Sequence, residues 1–143
     1  MPVIELDTLI ALVNVLDKLH ELAVRIINMV MNGELRNVAV PTSAYLEYEL
    51  VLRSKGYSEE EVLTDLESFR SLRNLAEIPL TSRIISEAIR LRRKYELTYF
   101  DSLHAASALM YDKIMISVDP AYRNVPNLRV IDPLRLLKKN DSP

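Results

Sequence analysis

The sequence predicts an α/β domain in three layers (α/β/α), with helices on both faces of a central, mostly parallel sheet. Three observations predict it. Short apolar runs recur along the chain, at residues 3–6, 37–40 and 114–118, with briefer ones at 76–78 and 129–131. The segments between them carry apolar residues at helical spacing. The runs are predominantly apolar rather than strictly alternating, as in strands buried on both faces of a parallel sheet. Right-handed crossovers place all strand carboxyl ends on one edge, where such folds carry their sites. No repeat or linker divides the 143 residues, so a single domain over 1–143 is expected.

Residues 3–6 read as a short strand ending at Asp7. Leu9, Leu12, Val13, Leu16, Leu19, Ala23, Ile26, Ile27 and Val30 then mark a long helix or helix pair, with Gly33 as its stop. Residues 37–40 form the second strand, and Pro41-Thr42-Ser43 opens a helix running to about Ser54. Ser58 with Glu61 three residues later is a capping box, so another helix starts there. Residues 76–78 read as a short strand, followed by a helix over 82–95. Thr98 starts a helix through Met110. Residues 114–118 are a strand, 129–131 a last short one, and Pro133 opens a terminal helix fraying at Lys138-Lys139-Asn140-Asp141.

Composition narrows the function classes. There is no cysteine, which excludes thiol catalysis, disulfides and zinc sites of the cysteine type. Its absence fits a reducing cytoplasm. No signal peptide is visible, and no apolar run is long enough to span a membrane. Two glycines in the whole chain argue against a glycine-rich phosphate cradle. A non-catalytic nucleic-acid binder is usually basic, whereas the formal charge here is −2. A metal-dependent nuclease tolerates that charge, because bound cations neutralise its own carboxylates.

Four acids draw the reading further: Asp7, Glu47, Asp101 and Asp119. Each lies just past an apolar run or inside the start of a helix, so the topology gathers them on one sheet edge. Taken singly, most have plain explanations. Asp7 could be a helix N-cap. Asp119, followed by Pro120, has the form of another cap. Asp101, three residues after Thr98, could belong to a capping-box variant. Glu47 is harder to explain so. It lies four residues after Ser43, and Leu46, Leu50 and Val51 suggest that its side of the helix faces the core. An acid there is costly unless paired or bound to a cation. Glu49, two residues on, is expected in solvent. Together the four form a hard oxygen donor set of the kind Mg²⁺ prefers.

These residues resemble the PIN-domain family and, within it, the compact VapC-type toxin ribonucleases. Val3-Ile4-Glu5-Leu6-Asp7-Thr8 is similar to the family's apolar strand ending in Asp-Thr or Asp-Ser. Glu47-Tyr48-Glu49-Leu50-Val51-Leu52-Arg53 is similar to its helix that opens with Glu and ends Leu-Arg. Asp101-Ser102-Leu103-His104-Ala105-Ala106 is similar to its Asp-x-x-His-Ala-Ala stretch, and Ser117-Val118-Asp119-Pro120-Ala121-Tyr122 to its Thr/Ser-x-Asp-x-x-Phe stretch. The resemblance implies cleavage of single-stranded RNA with Mg²⁺ or Mn²⁺, with Asp7, Glu47, Asp101 and Asp119 as the catalytic and metal-holding acids. It also implies a homodimer and an antitoxin partner. Thr8 and Ser117 are the candidate supporting hydroxyls. Arg53, Lys55 and Arg123 are the candidate RNA contacts. The chain departs from many members at Leu9, where they carry Asn, and at Ala121, where they carry a further acid. The first removes polar support from Asp7, and the second bears on whether two metals bind.

Other readings share the acids. A PIN nuclease outside toxin systems would carry the same set, and so would a weakly active PIN-like module that holds protein or RNA. A receiver-like phosphoryl-transfer domain also clusters acids at a sheet edge, but it calls for adjacent acids after the first strand, where this chain has Asp7 alone.

Overall fold

Residues 1–140 are described by the structure, a computed structural model. Five short strands form one parallel sheet: β1 (Val3–Ile4), β2 (Ala39–Pro41), β3 (Ala76–Ile78), β4 (Ile114–Ile116) and β5 (Arg129–Ile131). Their order is β3-β2-β1-β4-β5, so β1 is central. Helices α1 (Leu6–Val13) and α2 (His20–Met31) join β1 to β2. Helices α3 (Thr42–Ser54) and α4 (Glu59–Arg70) join β2 to β3, and α5 (Ser82–Tyr95) and α6 (Tyr99–Leu109) join β3 to β4. A 3-10 helix, Pro120–Asn124, joins β4 to β5, and α7 (Pro133–Asn140) ends the described chain.

Register and the pleat explain the two helical layers. Val3 pairs with Ala39 and Met115, and all three point into a core shared with Ala88 and Leu91 of α5 and Leu103 and Ala106 of α6. The next residues along, Ile4, Val40 and Ile116, point the other way. They meet Leu9 of α1, Ile27 and Val30 of α2, Tyr48 of α3 and Phe69 of α4. Successive strand residues face opposite sides of a sheet, so an apolar run in a central strand supplies both cores at once.

Some boundaries differ from the sequence expectation. The first strand stops at Ile4, because Leu6 already begins α1. Glu5, not Asp7, is the N-cap residue, and its side chain makes no capping bond. The long helix is a pair, broken at Asn14 and Asp17. Their side chains accept from the backbone N–H groups of Leu16 and Leu19, and this local bonding competes with the helix. Gly33 follows the α2 C-cap with φ +79°, the left-handed conformation that ends a helix cheaply in glycine. The Ser58–Glu61 capping box is complete in both directions. At the chain's end α7 continues to Asn140, and Asp141 lies outside the described residues.

Candidate active site

The carboxyl ends of β1, β2 and β4 feed directly into the residues of interest. Asp7 lies in the first turn of α1, Glu47 in the second turn of α3, and Asp101 in the first turn of α6. Asp119 caps the 3-10 helix after β4, its Oδ1 accepting from the Ala121 N–H at 2.9 Å. Helix α6 runs antiparallel to β4, which it precedes, so its start lies at the same edge as the end of β4.

Electrostatics show that the four acids share one neighbourhood. Asp7 reaches solvent, yet the protein around its carboxylate strips enough water to raise its pKa. The negative charges of Asp119, Asp101 and Glu47 raise it further, while a hydrogen bond with Glu5 acts the other way. Among the described residues no Lys or Arg forms an ion pair with Asp7, Asp101 or Asp119. The edge therefore carries unneutralised negative charge and hard oxygen donors, which is the chemistry a divalent cation requires. Among the described residues no three histidine or carboxylate side chains already enclose a metal position. Mg²⁺ usually keeps several waters and takes one or two carboxylates directly, so an open acidic edge suits it.

Glu47 is held by a buried histidine. His104, fully buried on α6, places Nε2 at 2.8 Å from Glu47 Oε1 and Nδ1 at 2.8 Å from the Ser43 hydroxyl. With a carboxylate as acceptor, Nε2 donates, and Nδ1 then accepts from Ser43. Glu47 lies one helical turn after the buried Ser43, which orients it toward α6. Val51 packs against the core as expected, whereas Leu46 and Leu50 are exposed. Glu49 is half-buried rather than solvated.

Glu5 is the residue the sequence reading passed over. It is 3 % exposed at the end of the central strand. The pleat turns it to the face Val3 occupies, beside α6 and the 3-10 helix. Ser117 donates to its Oε1 at 3.3 Å, and the Tyr122 hydroxyl lies 3.2 Å from its Oε2 and 3.0 Å from Asp101 Oδ1. Burial first, then the charges of Asp7 and Asp101, push the Glu5 carboxyl from its ordinary 4.5 up to about 8. One phenolic proton cannot serve two ionised carboxylates. Tyr122 can therefore donate to Glu5 or to Asp101 but not to both at once. The available signal was an acid inside an otherwise apolar strand, which is expensive without partners.

The remaining candidates separate. Ser117 sits at the edge, linking Glu5 to the Asp119 N–H, which donates to its Oγ at 3.0 Å. Thr8 lines a narrow cleft with Glu5, Asp7 and Ser117. Arg123 is exposed in the 3-10 helix just after Asp119. Arg53 and Lys55 lie in the last turn and C-cap of α3, roughly 9–12 Å of helix beyond Glu47. Leu9 is fully buried in the core against β1, so it packs where a polar residue would have supported Asp7. Arg92 donates to Ser102 at 2.8 Å and lies 4.7 Å from the Tyr99 ring centroid.

The PIN-domain family model matches residues 4–128, most of the chain. The chain belongs to the PIN-domain family. Members of this family are nucleases that generally use divalent metals. No curated protein sequence matches the chain. Among solved structures, this PIN domain is similar to VapBC2 from Rickettsia felis bound to a DNA fragment of its promoter, at 16 % identity and TM-score 0.69, covering 90 % of this chain and 96 % of that one. It is also similar to a toxin–antitoxin complex from Klebsiella pneumoniae, at 16 % identity and TM-score 0.65, covering 93 % and 98 %. A third is Mycobacterium tuberculosis VapC20, a toxin that cleaves the sarcin–ricin loop, at 14 % identity and TM-score 0.68, covering 90 % and 99 %. At such identities these likenesses establish the fold.

Proposed function

We propose that this PIN domain is a Mg²⁺- or Mn²⁺-dependent endoribonuclease acting on single-stranded RNA, the toxin of a toxin–antitoxin pair. One observation carries the reading. Asp7, Glu47, Asp101 and Asp119 arrive from four separate elements within mutual electrostatic reach, and no Lys or Arg pairs with Asp7, Asp101 or Asp119 among the described residues. Capping engages one Asp119 oxygen, and gathering four carboxylates without a Lys or Arg is costly unless a cation joins them. Similarity to toxin structures supports the toxin assignment.

Asp7 and the Asp119 oxygen not used in capping would hold the metal, with Glu47 and Asp101 facing its waters. The ion, when bound, supplies an activated water and neutralises the phosphodiester. Glu47 orients the attacking water, and His104 with Ser43 fixes the rotamer that lets it do so. Arg123, exposed in the 3-10 helix that follows Asp119, is the candidate to meet an RNA phosphate. The products are a 5′-phosphate and a 3′-hydroxyl. Exposed Val15 and Leu16 after α1, with Leu46 and Leu50 on α3, offer apolar surface for a homodimer or an antitoxin. Among the described residues no helix is long and apolar enough to cross a membrane.

The test is cleavage of unstructured oligoribonucleotides with Mg²⁺, with Mn²⁺ and with EDTA. Cleavage with either metal and none with EDTA is expected. Cleavage persisting in EDTA would end the metal-nuclease reading. Metal binding without cleavage of diverse RNAs would point to a PIN-like interaction module instead.

A further inference from the structure

We propose that Tyr122 is a positioning residue, whose hydroxyl sets the orientation of the Asp101 carboxylate and so couples the α6 acid to the turn that carries Asp119. The proposal rests on the nuclease reading and concerns the same site.

The backbone comes first. Asp119 caps the 3-10 helix with its own side chain, and Pro120 fixes that helix's first position. Three residues after the cap, Tyr122 is fully buried, its ring in the core with Leu103 and Met115. A ring so packed presents its hydroxyl from a fixed point, 3.0 Å from Asp101 Oδ1. Thr98 holds Asp101 only by the backbone, accepting from its N–H at 3.2 Å. Among the described residues Tyr122 is the hydrogen-bond donor to the Asp101 carboxylate. The terminal torsion of an aspartate is broad, so without that donor the carboxylate samples many orientations. Outer hydrogen-bond partners of this kind set how well a carboxylate meets a cation or the waters the cation keeps.

Glu5 supplies the contrast. It lies 3.2 Å from the same hydroxyl and competes for the same proton. An amide at position 5 would donate to the phenol oxygen and leave the phenol proton to Asp101. Removing the hydroxyl and removing the competing acid should therefore have different consequences.

The experiment measures Mn²⁺ binding to the full chain by titration calorimetry, and RNA cleavage across Mg²⁺ concentrations, for wild type, Tyr122→Phe and Glu5→Gln. Circular dichroism controls for folding. Tyr122→Phe should weaken Mn²⁺ binding by about 10-fold or more. Its half-saturating Mg²⁺ should rise in parallel, and excess metal should restore part of the rate. Its KM for RNA should move less than about twofold, since the change acts on the acid rather than on RNA binding. Glu5→Gln should bind Mn²⁺ at least as tightly as wild type. A lower melting temperature in Tyr122→Phe with Mn²⁺ binding unchanged would reduce Tyr122 to a packing role and overturn the proposal. Weaker Mn²⁺ binding in Glu5→Gln would also overturn it, by making Glu5 the metal-facing group. If Tyr122→Phe does not fold, the Glu5→Gln result decides alone. If wild type neither binds Mn²⁺ nor cleaves RNA, the nuclease reading falls and this role with it. If wild type does both and Tyr122→Phe matches it, the positioning role alone falls.

Discussion

Glu5 and Glu47 are both drawn toward the same acidic edge, and the protein treats them differently. Glu47, on α3, keeps a fifth of its side chain exposed and has a buried imidazole as donor, itself braced by Ser43. Glu5, at the end of β1, is buried and has hydroxyls for partners, with Asp7 and Asp101 as charged neighbours. An imidazole can meet an anion with a fixed N–H, whereas hydroxyls are shared with other acceptors and leave the desolvation unrelieved. The α3–α6 junction is therefore suited to present a charge, and the strand end is suited to hold a proton. That division lets one edge carry more carboxylates than repulsion alone would permit.

The largest expected effect tests the strand-end side. Glu5 has a folded-state pKa of about 8 against an ordinary 4.5. Below pH 4.5 both folded and unfolded chains carry the proton. Between the two values the folded chain keeps it and the unfolded chain has lost it. Stability should therefore fall as pH rises across that window, by on the order of 1.4 kcal/mol per pH unit, and then level off. Glu5→Gln cannot ionise, so only the part of the slope due to Asp7 should remain, and the variant should exceed wild type in stability near pH 8. Urea unfolding without divalent metal at several pH values measures this. A wild-type slope that Glu5→Gln leaves intact would remove the buried proton from the comparison.

Next in size is Asp7→Asn. Asp7 is crowded by Asp119, Asp101 and Glu47, so a neutral amide should raise metal-free stability. Cleavage should fall by more than about 100-fold, beyond what loss of an outer partner costs. Steady-state rates on RNA and a thermal melt without metal test both directions. A variant retaining a tenth of the wild-type rate would show that Asp7 is not a metal-holding acid.

His104→Leu probes the other side. It would leave the buried Ser43 hydroxyl unpaired and Glu47 without its donor. A stability loss of about 1–3 kcal/mol is expected. Cleavage should drop about 10-fold, the scale for losing a group that orients an active-site carboxylate. A loss of stability with full activity would mean that His104 serves packing alone.

The fold was largely legible because apolar runs and caps are local signals. The strands at 76–78 and 129–131, the Ser58–Glu61 box and the Thr98 cap could all be read from a few neighbouring residues. The topology rule then brought Asp7, Glu47, Asp101 and Asp119 to one edge. What stayed hidden depends on contacts distant in sequence. Glu5 was absorbed into an apolar run, because its partners Ser117 and Tyr122 lie more than a hundred residues away. Arg92 meets Ser102 and the Tyr99 ring only once α5 packs on α6, and nothing beside it in sequence announces either partner. Of the neighbours that point Glu47 inward, only Val51 packs against the core, and the orientation is decided by what lies across from the helix, here His104.

The smallest expected effect sharpens the α3 side. Glu49 stands two residues after Glu47, and at about 100° per residue its side chain leaves the helix nearly opposite. It is half-buried, and among the described residues no hydrogen bond or ion pair involves its carboxylate. Glu49→Gln should therefore change the cleavage rate by less than about twofold, the size of an ordinary surface substitution. Glu47→Gln in the same assay should lose far more, because the His104 contact belongs to residue 47. The paired measurement removes one negative charge from the same helix in each variant, so net charge cancels and orientation is what differs. Equal losses would mean that α3 contributes only a diffuse negative field, and the distinction between a presented glutamate and a buried one would have to be sought on β1 alone.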